Sequence, residues 1–306
     1  MEGEGSMTTD TAIHTIGLTK MFKDTLAVNA LDLEVRSGSI YGFLGLNGAG
    51  KTTTIKLLLN LLYPTSGQGQ VLNYDIVNQS IQIRERVGYV SEEPNIYEYM
   101  KVSEAVNFCR GTYANWDMKV TGRYLDLFEL PVGKKIKELS KGMKNQLALA
   151  LALGSAPELL ILDEPTAGLD PIKVRDFFRI VLEQVAQTGQ TVFFSSHRLN
   201  EVERVADTVG IIRKGKMVFN KSLDEIKTNL KKIRVVFNEE TSVDRLMKLP
   251  GVTDVEAQGR GLVIECDGCL EEVLTRINEF NPVDKEVIDV TLEEVFIKYA
   301  GGEGNG

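Results

Sequence analysis

The chain has 306 residues, is 43% hydrophobic and carries a formal net charge of −8. That length exceeds what one core usually sustains, so a large domain plus a smaller one is expected. The acidic balance argues against a broad, sequence-independent nucleic-acid surface, and no nucleic-acid partner is expected.

In chain order, "MEGEGSMTTD" (1–10) reads as a disordered tail, as does the end 301–306. Between about residues 12 and 220, short apolar runs alternate with helical patterns. Strands are predicted at Ile13–Leu18, Leu31–Val35, Ile40–Leu44, Val87–Val90, Leu159–Leu162, Thr191–Ser195 and Val209–Ile212. Several are almost wholly apolar, as strands of a mostly parallel sheet buried on both faces must be. Helices are predicted after Lys51, Ser140, Pro171 and Leu199. A helical insert is expected over 94–157, with helices at Val102–Arg110, Lys119–Leu130 and Lys144–Leu153.

From residue 222 the pattern changes to β-α-β-β-α-β: strand 232–237, helix 242–249, strands 252–257 and 261–266 around the Gln258-Gly259 turn, helix 270–280, strand 283–290. This order fits the ferredoxin-like split motif. A last helix begins at a Thr291-x-x-Glu294 capping box. The fold expected is therefore α/β over 11–221 with a small α+β, ferredoxin-like domain over 222–300.

Three cysteines are too few for a disulfide framework and fit a reducing compartment. Cys266-x-x-Cys269 reads either as a redox or metal site or as two ordinary reduced cysteines. With no second CxxC, the latter is the better reading. No apolar run approaches the roughly 20 residues that span a bilayer; Leu147 to Leu153 is far too short. No signal peptide is visible. A cytoplasmic protein is expected, with any tie to a membrane made through a partner.

The strongest motif is Gly45-Leu46-Asn47-Gly48-Ala49-Gly50-Lys51-Thr52, which fits GxxxxGK[ST] between an apolar strand and a helix. Glycines let backbone N–H groups converge on phosphate oxygens, and the helix N-terminus favours negative charge. Asn47, Gly48, Gly50, Lys51, Thr52 and Thr53 are the candidate nucleotide ligands. Lys51 is placed to reach the β- and γ-phosphates and Thr52 to ligate Mg²⁺. A second site is the strand 159–162 ending in Asp163-Glu164-Pro165. Asp163 can hold Mg²⁺ and Glu164 can polarise an attacking water. His197 follows the apolar strand 191–195, at the carboxyl end where ligands of parallel sheets collect. It is a candidate hydrogen-bond partner of the γ-phosphate, although a lone histidine is often structural. His14, in the first strand, reads as structural.

Together these residues resemble the ATP-binding subunits of ATP-binding cassette (ABC) transporters, over about residues 12 to 220. Leu139-Ser140-Lys141-Gly142-Met143 stands where that family carries its signature, usually LSGGQ. The resemblance implies a P-loop NTPase cassette with a RecA-like core, ATP and Mg²⁺ as ligands, and ATP hydrolysis with Glu164 and His197 as catalytic residues. It also implies two cassettes packed head to tail, with Ser140 and Gly142 offered to the partner's γ-phosphate. Ala167-Gly168-Leu169-Asp170 looks like the loop that crosses this interface. Phe22 stands where the family stacks an aromatic on adenine, the alternative being a core phenylalanine.

Two departures stand out. Glu92 replaces the family's usual glutamine, and remains a possible Mg²⁺ ligand. The signature is LSKGM, adding the cation Lys141. Both variants are similar to the branch that serves ABC-2-type exporters. An integral membrane permease is then the implied partner, with the chain as a homodimer, or a heterodimer with a homologue, peripheral on the inner face of the membrane. An importer subunit with a regulatory tail and a soluble non-transport ABC ATPase are the alternatives. Whether the C-terminal domain senses a ligand or dimerises stays open.

Overall fold

The structure, a computed structural model, describes residues 11–237, 243–259 and 261–301. The tail expected at 1–10, and that at 301–306 beyond Gly301, lie outside the described residues. The chain forms two compact units that divide between Asn220 and Lys221.

The first unit opens with the antiparallel pair β1 (Thr11–Phe22) and β2 (Thr25–Arg36). β3 (Ile40–Leu44) leads through a glycine-rich loop into α1 (Lys51–Leu58). β4 (Ser66–Val71) and β5 (Tyr74–Asp75) complete a four-stranded sheet of order β2-β1-β4-β5. α2 (Ser80–Arg86) and β6 (Val87–Val90) then precede three helices, α3 (Val102–Thr112), α4 (Met118–Leu127) and α5 (Lys141–Gly154). β7 (Leu159–Asp163), α6 (Pro171–Thr188), β8 (Thr191–Ser196), α7 (Leu199–Val205) and β9 (Thr208–Arg213) follow, and the division between the units falls within β10 (Lys216–Ser222).

The second sheet has order β10-β9-β3-β8-β7-β6, and β9, β3, β8, β7 and β6 run parallel. Every residue of β3, β7 and β8 is buried. That is why these strands read as apolar runs rather than as alternating ones. The register sets Leu44 against Ser196 and Asp163 against Ser195. Three carboxyl ends therefore finish side by side, and the loops that leave them share one crevice.

The strands predicted at 40–44 and 87–90 coincide with β3 and β6. β4 and β5 carry no such signal. "SGQGQV" is rich in residues with poor strand propensity, and its strand exists because β1 lends it a hydrogen-bonding edge. α4 ends at Leu127 rather than Leu130, where Glu129 turns left-handed at φ 51°. Asp117 starts that helix by accepting hydrogen bonds from the N–H groups of Lys119 and Val120.

The second unit contains α8 (Leu223–Asn229), β11 (Leu230–Phe237), α9 (Val243–Leu246), β12 (Val252–Gln258), β13 (Gly261–Asp267), α10 (Leu270–Asn278), β14 (Pro282–Asp289) and α11 (Leu292–Ala300). Its sheet has order β12-β13-β11-β14, with every neighbouring pair antiparallel. This is the strand order of the split βαβ motif. Ile233, Val235, Ile264, Leu246, Val273 and Ile277 form its core, and Cys266 is buried with them. Cys269 is exposed at the start of α10, so the two cysteines of the CxxC pair occupy different environments.

Candidate nucleotide site

The crevice begins at the loop between β3 and α1. Gly50 is the N-cap of α1 at φ 113°, and no side chain caps the helix. A Cβ at Gly50 would lie 2.5 Å from the Ala27 carbonyl oxygen, so only glycine fits there. The first-turn N–H groups of α1 are left for an anionic guest. Lys51 is 6% exposed, and its Nζ donates to the Gly45 carbonyl at 2.8 Å.

β7 delivers two carboxylates to the same place. Asp163 is 1% exposed and accepts a 2.6 Å hydrogen bond from the Ser195 hydroxyl on β8. That hydroxyl also accepts from the Glu164 backbone N–H at 3.0 Å. One serine thus ties the end of β8 to both acids. Glu164 adopts a left-handed backbone, φ 47°. Such a conformation costs a non-glycine residue about 1 kcal/mol or more, and it persists where the surroundings enforce it.

The Glu164 side chain is held from two sides. Oε2 lies 2.7 Å from His197 Nδ1, and Oε1 lies 3.1 Å from Lys51 Nζ. The lysine contact is an ion pair by distance without hydrogen-bond angles, so Oε1 accepts no hydrogen bond although it is buried. The ammonium charge offsets the burial of this oxygen, which keeps an acceptor site for a guest. On β6, burial, and then the negative Asp163, push the Tyr89 phenol up to about 12.

A cavity of about 430 Å³ lies over these groups. Its walls include Thr25, Leu26 and Ala27 of β2, Leu46, Asn47, Gly48 and Gly50 of the loop, Lys51, Thr52 and Thr53 of α1, and Glu92, Glu164, His197 and Lys214. A second cavity of about 650 Å³ shares Thr52 and Glu92 with it, takes in Asp163, and runs along Ser91–Ile96 to Cys109, Tyr113 and Leu151. The oxygen donors of Thr52, Asp163 and Glu92 suit a hard divalent cation such as Mg²⁺. Among the described residues no group of three or more His, Cys, Asp or Glu forms a closed metal cage.

Asn47, Gly48, Gly50, Lys51, Thr52, Thr53, Glu92, Glu164 and His197 therefore share one cavity, and Asp163 lines the second cavity, which meets the first at Thr52 and Glu92. Phe22 does not line it. The ring is 42% exposed beneath Lys20 and stands opposite Thr25, a wall residue, in the β1–β2 register. Ser140, Gly142 and Asp170 do not line it either. Ser140 caps α5 by accepting from the Met143 N–H, and Asp170 caps α6 by accepting from Ile172 and Lys173. Gly142 is buried against the Leu169 side chain, and Asn145 reaches the Ala167 carbonyl at 3.5 Å. The start of α5 thus packs on the 167–170 loop of its own chain.

Sequence reasoning missed Ser195 and Lys214. Ser195 carries a usable signal, a hydroxyl at the end of an otherwise apolar buried strand. Lys214 carries none, because only the tertiary fold brings its turn to the crevice.

The family model for ABC transporters matches residues 28–167, and an AAA-domain model matches 134–203. The bacitracin transport ATP-binding protein BcrA of Bacillus licheniformis is 34% identical over 301 residues, covering 95% of this chain and 98% of BcrA. The ABC transporter ATP-binding protein YtrB of Bacillus subtilis is 28% identical over 94% of this chain and 97% of its own. A solved ATP-binding subunit of an ABC transporter superposes with a TM-score of 0.66 at 28% identity, covering 71% of this chain and 92% of that one. The cassette MJ0796, solved as a dimer with ADP and Pi, shares the fold at a TM-score of 0.63 and 21% identity, over 69% of this chain and 98% of that one. With its phosphate loop, paired acids and histidine in one crevice, the chain belongs to the ATP-binding proteins of ABC transporters, P-loop ATPases that bind ATP with Mg²⁺ and hydrolyse it.

Proposed function

We propose that this chain powers an ABC-2-type exporter, working as a head-to-tail dimer beneath an integral membrane permease. The observation that carries the catalytic part is the Glu164 carboxylate. It is buried between Lys51 and His197, with one oxygen accepting no hydrogen bond.

When ATP enters, its phosphates take up the N–H groups of the 45–50 loop and the start of α1, and Lys51 turns from Glu164 to the β- and γ-phosphates. Mg²⁺, held by Thr52 and Asp163 with Glu92 in reach, would neutralise phosphate charge. Glu164, released from the lysine, accepts the proton of a water aligned with the γ-phosphate. His197 holds Glu164 through Nδ1 before ATP arrives and then turns its ring N–H to the γ-phosphate. Ser195 fixes Asp163 and the Glu164 backbone and so keeps both acids in register.

Ser140 and Gly142 do not line their own chain's cavity, which supports their service to a partner's nucleotide. The partner is a second copy or a homologous cassette. Phe22, beside the cavity wall, stacks on adenine. Asp170 lies on the loop that faces the partner.

No helix among the described residues is long and apolar enough to cross a membrane. Membrane attachment on the inner face then comes through the permease. The cavity along Ser91–Ile96, continuous with the nucleotide cavity at Glu92, suits its cytoplasmic helices. The relative named for bacitracin transport supports a drug-like cargo, and the LSKGM and Glu92 variants support export. A pull-down of the tagged chain from detergent-solubilised cells tests this. A multi-spanning membrane protein is the expected partner, and recovery with ribosomal or DNA-bound proteins alone would overturn transport.

A further inference from the structure

β9 and β10 are joined by two left-handed residues, Lys214 at φ 50° and Gly215 at φ 79°. Two consecutive residues with positive φ make the tight hairpin turn that favours Asn-Gly. Gly215 is held on both sides. Its N–H donates to the Ala49 carbonyl in the phosphate loop at 2.9 Å, and its carbonyl accepts from the Asn29 N–H at 2.9 Å. A Cβ at Gly215 would fall 2.9 Å from both the Ala27 oxygen and Val28 Cα. The turn is therefore wedged between the phosphate loop and β2 and hydrogen-bonded to both.

Lys214, the first residue of this turn, lines the nucleotide cavity beside Thr25, Leu26 and Ala27. These wall residues lie on the side of Phe22, which pairs with Thr25, whereas Lys51 and Glu164 mark the γ-phosphate end. A lysine is a costly choice for left-handed backbone, where Asn or Gly is comfortable. An outlier of this kind at a cavity wall points to use of the side chain.

We propose that Lys214 is a second nucleotide-binding cation of this chain, contacting the α-phosphate and ribose side of ATP. The inference rests on the proposed nucleotide site. The ammonium complements the phosphate nearest the sugar, and Lys51 serves the β- and γ-phosphates. Because its ligand is common to ATP and ADP, Lys214 strengthens both complexes alike. Its rigid turn carries the charge together with the phosphate loop, so the cation is in place before the nucleotide arrives.

The test is calorimetric titration of the full chain with ATP and with ADP, each with Mg²⁺, for the wild type, Lys214→Asn, Lys214→Arg and Lys51→Ala. Asparagine suits the left-handed turn and removes the ammonium charge. Lys214→Asn is expected to raise Kd about 10- to 100-fold for ATP and ADP equally, the range of one charge-assisted hydrogen bond. Lys214→Arg is expected to restore most of the affinity. Unchanged Kd values in Lys214→Asn, with binding lost in Lys51→Ala, would overturn the role of Lys214 and leave the site standing. A loss confined to ATP would place the cation at the γ-phosphate and overturn the assignment. Retained ATP affinity in Lys51→Ala would overturn the nucleotide site itself.

Discussion

Replacing Ser195 with Ala deletes one hydroxyl that serves two groups in a fully buried position. The hydroxyl donates to the Asp163 carboxylate at 2.6 Å and accepts from the Glu164 N–H at 3.0 Å. Hydrogen bonds to a charged group contribute about 1.5–3 kcal/mol, and a buried N–H left without a partner costs about 1–3 kcal/mol. Alanine fits the space but offers neither bond, so the loss is about 3–5 kcal/mol. In a unit of this size each kcal/mol moves Tm by about 2–4 °C, which predicts a fall of about 10 °C. Differential scanning calorimetry of the full chain reads it directly. The same variant frees the left-handed Glu164 backbone, so ATP turnover is expected to fall at least about tenfold, as a misplaced general base requires. A Tm within about 2 °C of wild type would refute the reasoning, because it would mean that water or a relaxed backbone satisfies both groups without the serine.

Glu164→Gln is expected to bind ATP and accumulate as a nucleotide-bound dimer on size-exclusion chromatography, and unimpaired turnover would remove Glu164 from the general-base role. Gly50→Ala forces a Cβ to within 2.5 Å of the Ala27 oxygen at φ 113°, so nucleotide binding by titration should be lost even if the chain still folds. Ser140→Ala in a mixed dimer with Lys51→Ala should slow hydrolysis only when the intact phosphate loop faces the altered signature; equal rates in both arrangements would exclude service in trans. In the second unit, burial alone would raise the Glu294 carboxyl, but hydrogen bonds from the Thr291 N–H and from Lys232 hold it below the usual carboxylate range. A depressed carboxyl stabilises the fold above its unfolded value, near about 4.3, and that contribution is lost as pH falls through the folded value. Lys232→Met should therefore flatten the acid limb of a stability–pH profile for this unit, and an unchanged acid limb would count against the pairing.

How much of this was legible beforehand differs by element. The phosphate loop, the acids after the strand at 159–162 and His197 could be read because each is a local pattern: an apolar strand followed by the residue types that phosphate and Mg²⁺ chemistry needs. β3 and β6 could be read to the residue for a related reason, since strands buried on both faces are uninterrupted apolar runs. The capping box at Thr291 and the proline at 171 likewise act within one helical turn. β4 could not be read, because its glutamines and glycines pair only when β1 supplies an edge.

The meeting of distant parts was decided by the tertiary structure alone. Ser195 gains its role from the register that sets β8 beside β7, 32 residues away from Asp163 in sequence. Lys214 reaches the crevice because its turn locks onto Ala49 and Asn29, residues far away along the chain. The Lys51–Glu164 pair forms because two parallel strands end at one level. The sequence by itself marked which residues carry the chemistry that a phosphate, a cation or a proton needs, since those properties belong to side chains and to short stretches of backbone. Which of them face one another was decided by burial and strand register, because a hydrogen bond or an ion pair depends on ångström distances that no local pattern encodes.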